Sequence, residues 1–479
     1  MSKFNTKTQG TKTKNLAGGT AFKENEKLEF VSILLTSFVQ AQFYRGASQT
    51  TDRVAELIKE MKDKKFTAKA AIYARNEYGM RSISHVVAGE LAKLAKGEKW
   101  TKNFYDKVVH RVDDTTEILS YYVTKYGKPI PNSLKKGLAK GLLKFDEYQI
   151  AKYKVSGKAM SLVDVINLVR PKPTPAIDAL MKGTLKAAET WEKKLTQAGQ
   201  KAETEEQKAE LKDEAWKELI KTRKIGYFAL LRNLRNIIEQ SPEMIDDACK
   251  LLTDEKLIKK SLVLPFRYVS ALKEVEKLND SRKVIIALSK AIDISCANIP
   301  KFDGKIAIVL DDSGSMTWAE KPIEIGALFA AALLKTNNAD LIMFSDRVKY
   351  LTLNPTDSIL TMQKQIIAKA HGGGTDFRLP FKLMTDKKVK YDRIIILSDM
   401  QGWRESTYAN PGTVYSAYKK EIGADPILYS FDLAGHGTLQ FPERNVYCLA
   451  GFSEKVFDIM KLLEEDKNAL IDKIEQVEL

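Results

Sequence analysis

Residues 305–316 read KIAIVLDDSGSM, an apolar, β-branched run that passes directly into a loop of aspartates and serines. A strand that is apolar at nearly every position is typical of a parallel sheet covered on both faces. Comparable runs occur at 340–345, 393–399, 426–432 and 446–451, and helical patterns lie between them. This alternation predicts a doubly wound, Rossmann-like α/β domain.

The character of the sequence changes near residue 299, so the α/β domain is predicted over 299–479. Upstream, over 21–298, apolar residues recur at spacings of three and four, and almost no stretch alternates with period two. We therefore expect an all-α array of stacked helical pairs. Residues 1–20 are polar and are predicted to form a flexible arm. The long continuous helices predicted in the array include 51–78, 104–126, 175–198, 203–222 and 227–240.

Oxygen-rich loops follow the predicted strands of the α/β domain. Ligands of an open α/β sheet bind at the carboxyl ends of its strands, so these loops are expected to converge. Hard oxygen donors without His or Cys suit Mg²⁺ or another divalent cation, which would keep an open position for a partner's acidic group. The alternative is that the loops persist for folding and bind no metal. The oxygen side chains in these loops include Asp311, Ser313, Ser315, Thr375 and Asp399, to which the resemblance described below assigns the metal.

Positive charge is concentrated in the helical part of the chain. The net charge of the 479 residues is +15, and residues 1–300 hold 55 basic and 37 acidic residues, which gives 55 − 37 = +18. Residues 301–479 hold 22 and 25, which gives −3. A basic half of this size indicates a polyanionic partner, most commonly nucleic acid. The alternative is a lysine-rich surface that only keeps the protein soluble.

One basic segment is more specific. Lys136, Lys140 and Lys144 lie at i, i+4 and i+8, which forms one ridge of a helix. Gly137 and Gly141 beside them are expected to let a bulky backbone approach. Basic side chains contact phosphates and aromatic ones stack on bases, although a solvated face remains the alternative. The segment also contains Lys135, Lys152, Lys154, Arg170 and Lys172, with Tyr148 and Tyr153 between them.

Motifs of common enzymes are not found in the sequence. It contains no GxxxxGK[ST], HExxH or GxSxG, and its four histidines are scattered. The longest apolar stretch, 30–44, is too short and too polar to span a bilayer, and the polar start does not read as a secretory signal. We therefore expect a cytoplasmic binding scaffold without a membrane partner, and not an enzyme.

The loop motifs together resemble the metal-ion-dependent adhesion site of von Willebrand factor A domains. A helical array followed by such a domain is similar to the TROVE-module proteins, the Ro autoantigen family, and the resemblance extends over nearly the whole chain. The stretches that carry it in the helical part are YARN at 73–76, GMRS at 79–82, ALLRNL at 229–234 and LPFR at 264–267.

The resemblance implies a HEAT-like helical-repeat ring closed by the A domain within a monomer. It implies small noncoding Y-type RNA on a basic outer surface and single-stranded 3′ ends of misfolded RNA in a central hole. It also implies a role in RNA quality control or decay, with an exoribonuclease as a further partner. The residues that the resemblance assigns to the outer surface are Lys135, Lys136, Lys152, Lys154 and Arg170.

For the hole, the basic side chains that we select as candidates are Arg75, Arg81, Arg232, Arg235 and Arg267. Arg232 and Arg235 have an alternative role, which is to fix helix packing through carboxylates. The sequence departs from vertebrate-type relatives at Leu162, Asn167 and Arg170, which leaves the identity of the RNA open. A function of a different class, a metal-dependent protein-adhesion scaffold built on the A domain, is the second hypothesis.

Overall fold

The helical part of the chain is a succession of short helices, in agreement with the predicted array. The computed structural model describes residues 12–14, 20–22, 26–36, 47–153, 160–186, 195, 204–261, 263–318, 322–400, 402, 411–433, 446–450, 457, 460–461, 464 and 469–479. The helices in this part are α1 Glu26–Thr36, α2 Ala47–Glu60, α3 Lys64–Glu77, α4 Ser82–Leu94, α5 Thr101–Val108, α6 Val112–Tyr126, α7 Asn132–Leu142, α8 Glu147–Lys152, α9 Leu162–Val169, α10 Pro175–Met181, α11 Glu205–Lys221, α12 Tyr227–Arg232, α13 Leu234–Gln240, α14 Ile245–Leu252, α15 Glu255–Ser261, α16 Pro265–Val275 and α17 Arg282–Ser295.

Three of the long helices predicted from the sequence, 51–78, 104–126 and 227–240, are in fact two helices each, the helix predicted over 175–198 is interrupted at Met181, and the one over 203–222 is a single helix. The helix predicted over 51–78 is divided at Asp63. The Asp63 carboxylate accepts a hydrogen bond from the backbone N–H of Phe66 (2.9 Å), so a new helix, α3, begins there. Asp114 divides the second of these three, since it accepts bonds from the backbone N–H groups of His110 and Arg111 (both 2.9 Å). Asn233 divides the third. Polar side chains that bond to the backbone interrupt a helix even where the apolar period continues.

The amino-terminal arm contains a pair of short strands that was not predicted. Strand β1, Lys12–Lys14, pairs antiparallel with β2, Thr20–Phe22. The arm predicted over 1–20 therefore includes a strand pairing.

The carboxyl-terminal part confirms the predicted doubly wound α/β fold. Its sheet has the strand order β5-β4-β3-β6-β7-β8, and only β5 runs antiparallel to its neighbour. The elements are β3 Ile306–Asp311, α18 Gly314–Thr317, α19 Pro322–Thr336, β4 Ala339–Phe344, β5 Val348–Leu351, α20 Ile359–Ala368, α21 Arg378–Asp386, β6 Arg393–Ser398, α22 Pro411–Ile422, β7 Ile427–Asp432, β8 Val446–Ala450 and α23 Ala469–Glu475.

The central strands are buried on both faces, which explains why they are apolar throughout. Ile308 and Leu310 belong to the core that the sheet shares with the helical array. Val309 and Ile396 point to the other face, where they pack with Phe381 in a separate core.

The last helices of the array contact the α/β domain. The rings of Phe266 and Phe329 pack with centroids 5.8 Å apart, and Lys273 pairs with Glu324 (2.8 Å). The Asp293 carboxylate accepts a hydrogen bond from the backbone N–H of Ile359 (3.0 Å). The end of the array is therefore docked on this domain.

The first helices of the array contact the same domain. Helix α1 packs against strand β8, and helix α23 packs against α3. Lys27 pairs with Glu475 (2.7 Å), and the Lys107 ammonium donates to the backbone carbonyl of Glu478 (3.0 Å). The helical array thus begins and ends on the α/β domain, so the path of contacts along the chain is closed.

Candidate functional site

The first and third oxygen-rich loops meet at the carboxyl end of the sheet. Asp311, the last residue of β3, is completely buried. Its Oδ1 accepts a hydrogen bond from the Ser313 backbone N–H (2.9 Å), and its Oδ2 accepts one from the Ser398 hydroxyl (2.5 Å). Strands β3 and β6 are neighbours although β4 and β5 lie between them in sequence, so this is where the strand order reverses, the usual ligand position in an open α/β sheet.

The second loop is joined to the first by backbone hydrogen bonds. The Gly314 N–H donates to the Gly373 carbonyl (2.9 Å), and the Gly372 N–H donates to the Asp312 carbonyl (2.8 Å). Gly373 has φ +90°, and a Cβ there would lie 3.0 Å from the Asp346 carboxylate. Glycine is therefore needed for the close approach. The structure brings together the three loops that the sequence places at this edge.

Two carboxylates and several hydroxyls occupy this edge. Burial and, after it, the negative charge of Asp399 together raise the pKa of Asp311 to about 7. The hydroxyls of Ser313 and Ser315 lie 3.3 Å apart, with Ser315 exposed and Thr375 buried. Among the described residues no three His, Cys, Asp or Glu side chains are grouped for a metal. Any cation would therefore use hydroxyls beside the two carboxylates, a donor set that fits a hard divalent ion.

Nearby polar side chains hold these loops in place. The Asp312 carboxylate accepts from the backbone N–H of His371 (3.0 Å), and burial raises its pKa. Asp376 pairs with Arg378 (2.7 Å), which directs its carboxylate toward that guanidinium. The hydroxyl of Ser398 links Asp311 to the third loop, a role that was not predicted. In the sequence, only the position of Ser398 next to Asp399 points to it.

Part of the predicted basic ridge is engaged within the protein. Lys140 and Lys144 both approach Asp106, at 2.7 and 3.4 Å, and the Lys144 ammonium also donates to the Val109 carbonyl (2.8 Å). The side chains of Lys140 and Lys144 are nevertheless exposed to solvent. Lys154 lies outside the described residues. Lys136, Lys152, Arg170 and Lys172 are exposed, and Lys135 is half-buried.

The two glycines of this segment do not make room for a ligand. A Cβ at Gly137 would lie 2.5 Å from the Tyr105 Cβ, and one at Gly141 would lie 3.3 Å from Val109. Both glycines therefore allow α7 to pack closely on the α5 segment. The expectation of an approaching partner backbone is corrected.

Two of the candidate arginines for the hole are committed to a buried acid. Asp114 is completely buried, and it binds Arg75 (2.9 Å), Arg81 (2.8 Å) and His85 (2.9 Å). Burial alone would raise the pKa of Asp114, but the hydrogen bonds and charges of these partners hold it well below its usual range. Arg75 is buried and Arg81, whose side chain is 28% exposed, also pairs with Asp113 (2.5 Å), so these guanidinium groups organise helices α3, α4 and α6.

The other three arginines differ among themselves. Arg235 is exposed and pairs with Glu239 (3.0 Å) within its own helix. Arg267 is half-buried. Arg232 is exposed, and its guanidinium lies over the ring of Phe228 at 6.0 Å from the centroid. In the described part of the chain, Arg232 has no carboxylate partner. The exposure of Phe228 was not predicted, because the spacing of apolar residues in a helix does not show which of them is exposed.

The fold and the site define a class of protein in which a helical-repeat domain is followed by an A-type α/β domain. The TROVE domain matches residues 23–210 and 176–292 of the chain, and the Ro60 vWA domain matches residues 305–463. The TROVE matches span more than half of the 479 residues. The chain belongs to the TROVE family and carries the A domain of its Ro members.

Individual relatives are distant in sequence. Telomerase protein component 1 of Rattus norvegicus is 21% identical over 349 residues, which is 53% of this chain and 13% of that protein. The RNA-binding protein RO60 of Deinococcus radiodurans is 22% identical over 260 residues, which is 49% of this chain and 48% of the relative. The chain thus matches less than half the length of these relatives.

A solved structure extends the likeness to the whole fold. The crystal structure of the Deinococcus radiodurans RO (RSR) protein has a TM-score of 0.67 and 18% identity, and the match covers 90% of this chain and 99% of that one. Within the described ranges, no helix has the length and apolar character needed to cross a bilayer.

Proposed function

We propose that this chain is an RNA-binding scaffold. The observation that carries the proposal is the charge of residues 127–186, which hold twelve basic and four acidic residues, or +8. Two of those carboxylates, Asp146 and Asp164, bond to the N-termini of their own helices. The exposed cations of this segment that do not pair with Asp106 are therefore available to a polyanion. Family membership supports the same reading, since the Deinococcus relative is named as an RNA-binding protein.

In its finer form, the proposal has two RNA sites. A small, structured, Y-type noncoding RNA binds the exposed cations of the 127–186 surface, and a single-stranded 3′ end enters the space enclosed by the array. This arrangement suits the handling of misfolded RNA, with an exoribonuclease as partner. The cations assigned to the first site are the exposed Lys136, Lys152, Arg170 and Lys172, with the half-buried Lys135 beside them.

The salt dependence of RNA binding tests this proposal. Each phosphate contact contributes about 0.9 to the slope of log K against log salt for a duplex and about 0.7 for a single strand. Replacing Lys136, Lys152, Arg170 and Lys172 by alanine should therefore lower the slope for a small hairpin RNA by about 3. The matched control replaces four exposed lysines of the α/β domain, Lys364, Lys382, Lys387 and Lys390. An unchanged slope in the first variant, or an equal loss in the control, would contradict the assignment.

We further propose that the α/β domain binds a divalent cation, with Mg²⁺ as the first choice. Asp311, Ser313, Ser315, Thr375 and Asp399 would hold it. When bound, the cation would neutralise the two buried carboxylates and offer a position to an acidic group of a partner. The support is the donor chemistry at the switch point and the mutual repulsion of Asp311 and Asp399.

A second candidate function is metal-dependent protein adhesion. It is favoured by the exposed rim of the same site, where Ser315 is accessible and the Trp318 side chain is 78% exposed. The two functions respond to different treatments. A chelator should abolish adhesion and leave RNA binding through the helical part intact. High salt and competitor RNA should weaken RNA binding.

A further inference from the structure

Helix α12, Tyr227–Arg232, exposes an aromatic ring and an arginine on one face. Phe228 is 42% exposed, and Arg232 follows it at i+4 with its guanidinium over the ring. Leu230 and Leu231 of the same helix are buried. Phe228 is therefore a large ring that solvent can reach, with a cation directly beside it.

The ring is presented by a rigid element. The Tyr227 hydroxyl donates to the Leu252 carbonyl (2.7 Å) and accepts from the Tyr268 hydroxyl (3.0 Å). At the other end of the helix, the Asn233 amide donates to the Ala229 carbonyl (2.8 Å). The helix that carries Phe228 is therefore held in place before any ligand arrives, which reduces the entropy lost on binding.

The surroundings of the ring are cationic. Residues 221–235 contain five basic residues and no acidic one. Helix α15 packs against α12, and Lys256, Lys259 and Lys260 on it are exposed. Two nearby carboxylates are engaged, because Asp254 caps α15 through the Lys256 N–H (2.9 Å) and Glu218 approaches Lys224 (3.9 Å), whereas Glu255 on α15 is exposed.

We propose that Phe228, with Arg232, is a stacking site for one base of single-stranded RNA. The ring takes the face of a base, and Arg232 reaches the adjoining phosphate. This inference rests on the proposed RNA-binding function and names a residue and a ligand class for it. Aromatic rings beside basic side chains are the common means of holding single strands without sequence preference. The positive charge around a single ring favours a polyanion over a second copy of this chain.

The test uses the full-length protein and two probes. One is a twelve-nucleotide uridine RNA with a single central 2-aminopurine, whose fluorescence falls when it stacks. The other is an abasic ribose-phosphate oligomer of the same length. Wild type is compared with Phe228→Ala, with Phe228→Leu, which keeps apolar bulk without the π-face, and with Arg232→Ala. Ile286→Ala, at an apolar side chain that is 60% exposed on another helix, is the matched control.

Stacking predicts a specific pattern. Phe228→Ala should bind the base-containing RNA roughly 5- to 100-fold more weakly, while its affinity for the abasic oligomer stays the same. Both Phe228 variants should lose the 2-aminopurine quench, and Ile286→Ala should retain it. Arg232→Ala should weaken binding of both oligomers and lower the salt slope by about 0.7.

Three results would overturn the inference. If wild type binds neither oligomer, the proposed function fails and the stacking site fails with it. If Phe228→Ala binds and quenches like wild type, RNA binding stands and the stacking site is wrong. In the third result, wild type self-associates in sedimentation while Phe228→Ala does not, and the two proteins bind RNA equally. The exposed face of α12 then binds a second copy of the chain.

Discussion

Asp114 shows how one buried side chain can fix three helices. It receives the guanidinium groups of Arg75 and Arg81, the ring of His85 and two backbone N–H groups. Replacing it by asparagine removes the charge and leaves the buried Arg75 uncompensated. We expect Asp114→Asn to lower the free energy of unfolding by about 3–5 kcal/mol in urea denaturation. Asp178→Asn, at an exposed carboxylate, should change it by less than about 1 kcal/mol.

Asp114 also contributes to the acid sensitivity of the fold. Its native pKa lies well below 3.8, its value without the surrounding structure, so the unfolded chain binds the proton more readily. Its contribution is complete above pH 3.8 and is lost as the pH falls through the native pKa. The wild-type free energy of unfolding should therefore decrease as the pH is lowered below about 4, and this part of the decrease should be missing in Asp114→Asn. Equal acid sensitivity of the two proteins would contradict the role given to Asp114.

The ionisation of Asp311 changes the stability of the fold with pH in the opposite direction. Its native pKa of about 7 exceeds 3.8, so the cation-free protein should lose stability as the pH rises from about 4 through 7. A divalent cation favours the charged carboxylate and should reverse this loss. We therefore expect Mg²⁺ to raise the Tm more at pH 8 than at pH 6. The thermal shift should disappear in Asp311→Asn and persist in Asp425→Asn, a 74% exposed carboxylate; a shift retained in Asp311→Asn would place the cation elsewhere.

Helix α7 depends on a glycine for its packing. A Cβ at Gly137 would lie 2.5 Å from the Tyr105 Cβ and 2.9 Å from the Lys102 carbonyl, and neither atom is the end of a flexible side chain. Gly137→Ala should therefore destabilise the protein by about 1–3 kcal/mol through overpacking. Gly226→Ala, which meets nothing within 4 Å, is the control. Thermal unfolding of both variants decides whether α7 needs close contact with α5; equal Tm values would show that it does not.

The strands were easier to predict than the helix ends. Strands β3 and β6 are apolar at almost every position because both faces are covered, and this signal is local. The division of 104–126 was missed because it depends on Asp114, whose partners Arg75 and Arg81 lie more than thirty residues away in sequence. Strand β5 was missed because it is short and lies at the edge of the sheet.

The closed path of contacts depends on the carboxyl-terminal helix. Ile474 is completely buried where α23 packs on α3, and Leu470 is nearly so. Ile474→Ala should lower the free energy of unfolding by about 2–4 kcal/mol, because a buried cavity replaces the side chain. Ile471→Ala, in the same helix but half-buried, should cost less. Equal effects in calorimetry would contradict the closure described here.

The convergence of the cation-site loops could be predicted because strand ends of a parallel sheet lie at one edge. The basic surface was predicted only in part. Lys140 and Lys144 look free in sequence, yet Asp106 on another helix approaches both. Phe228 had no sequence signal, because an apolar residue in an amphipathic helix is expected to face the core.

Docking both ends of the helical array on one domain also restricts how such a protein can evolve. An open solenoid can gain or lose a repeat, because each repeat contacts only its neighbours. Here the arc from α1 to α17 must fit the fixed separation between two docking surfaces of the α/β domain. One added or deleted helical pair would leave one surface without its partner. Variation is therefore expected in loops and excursions, while the number of repeats stays constant.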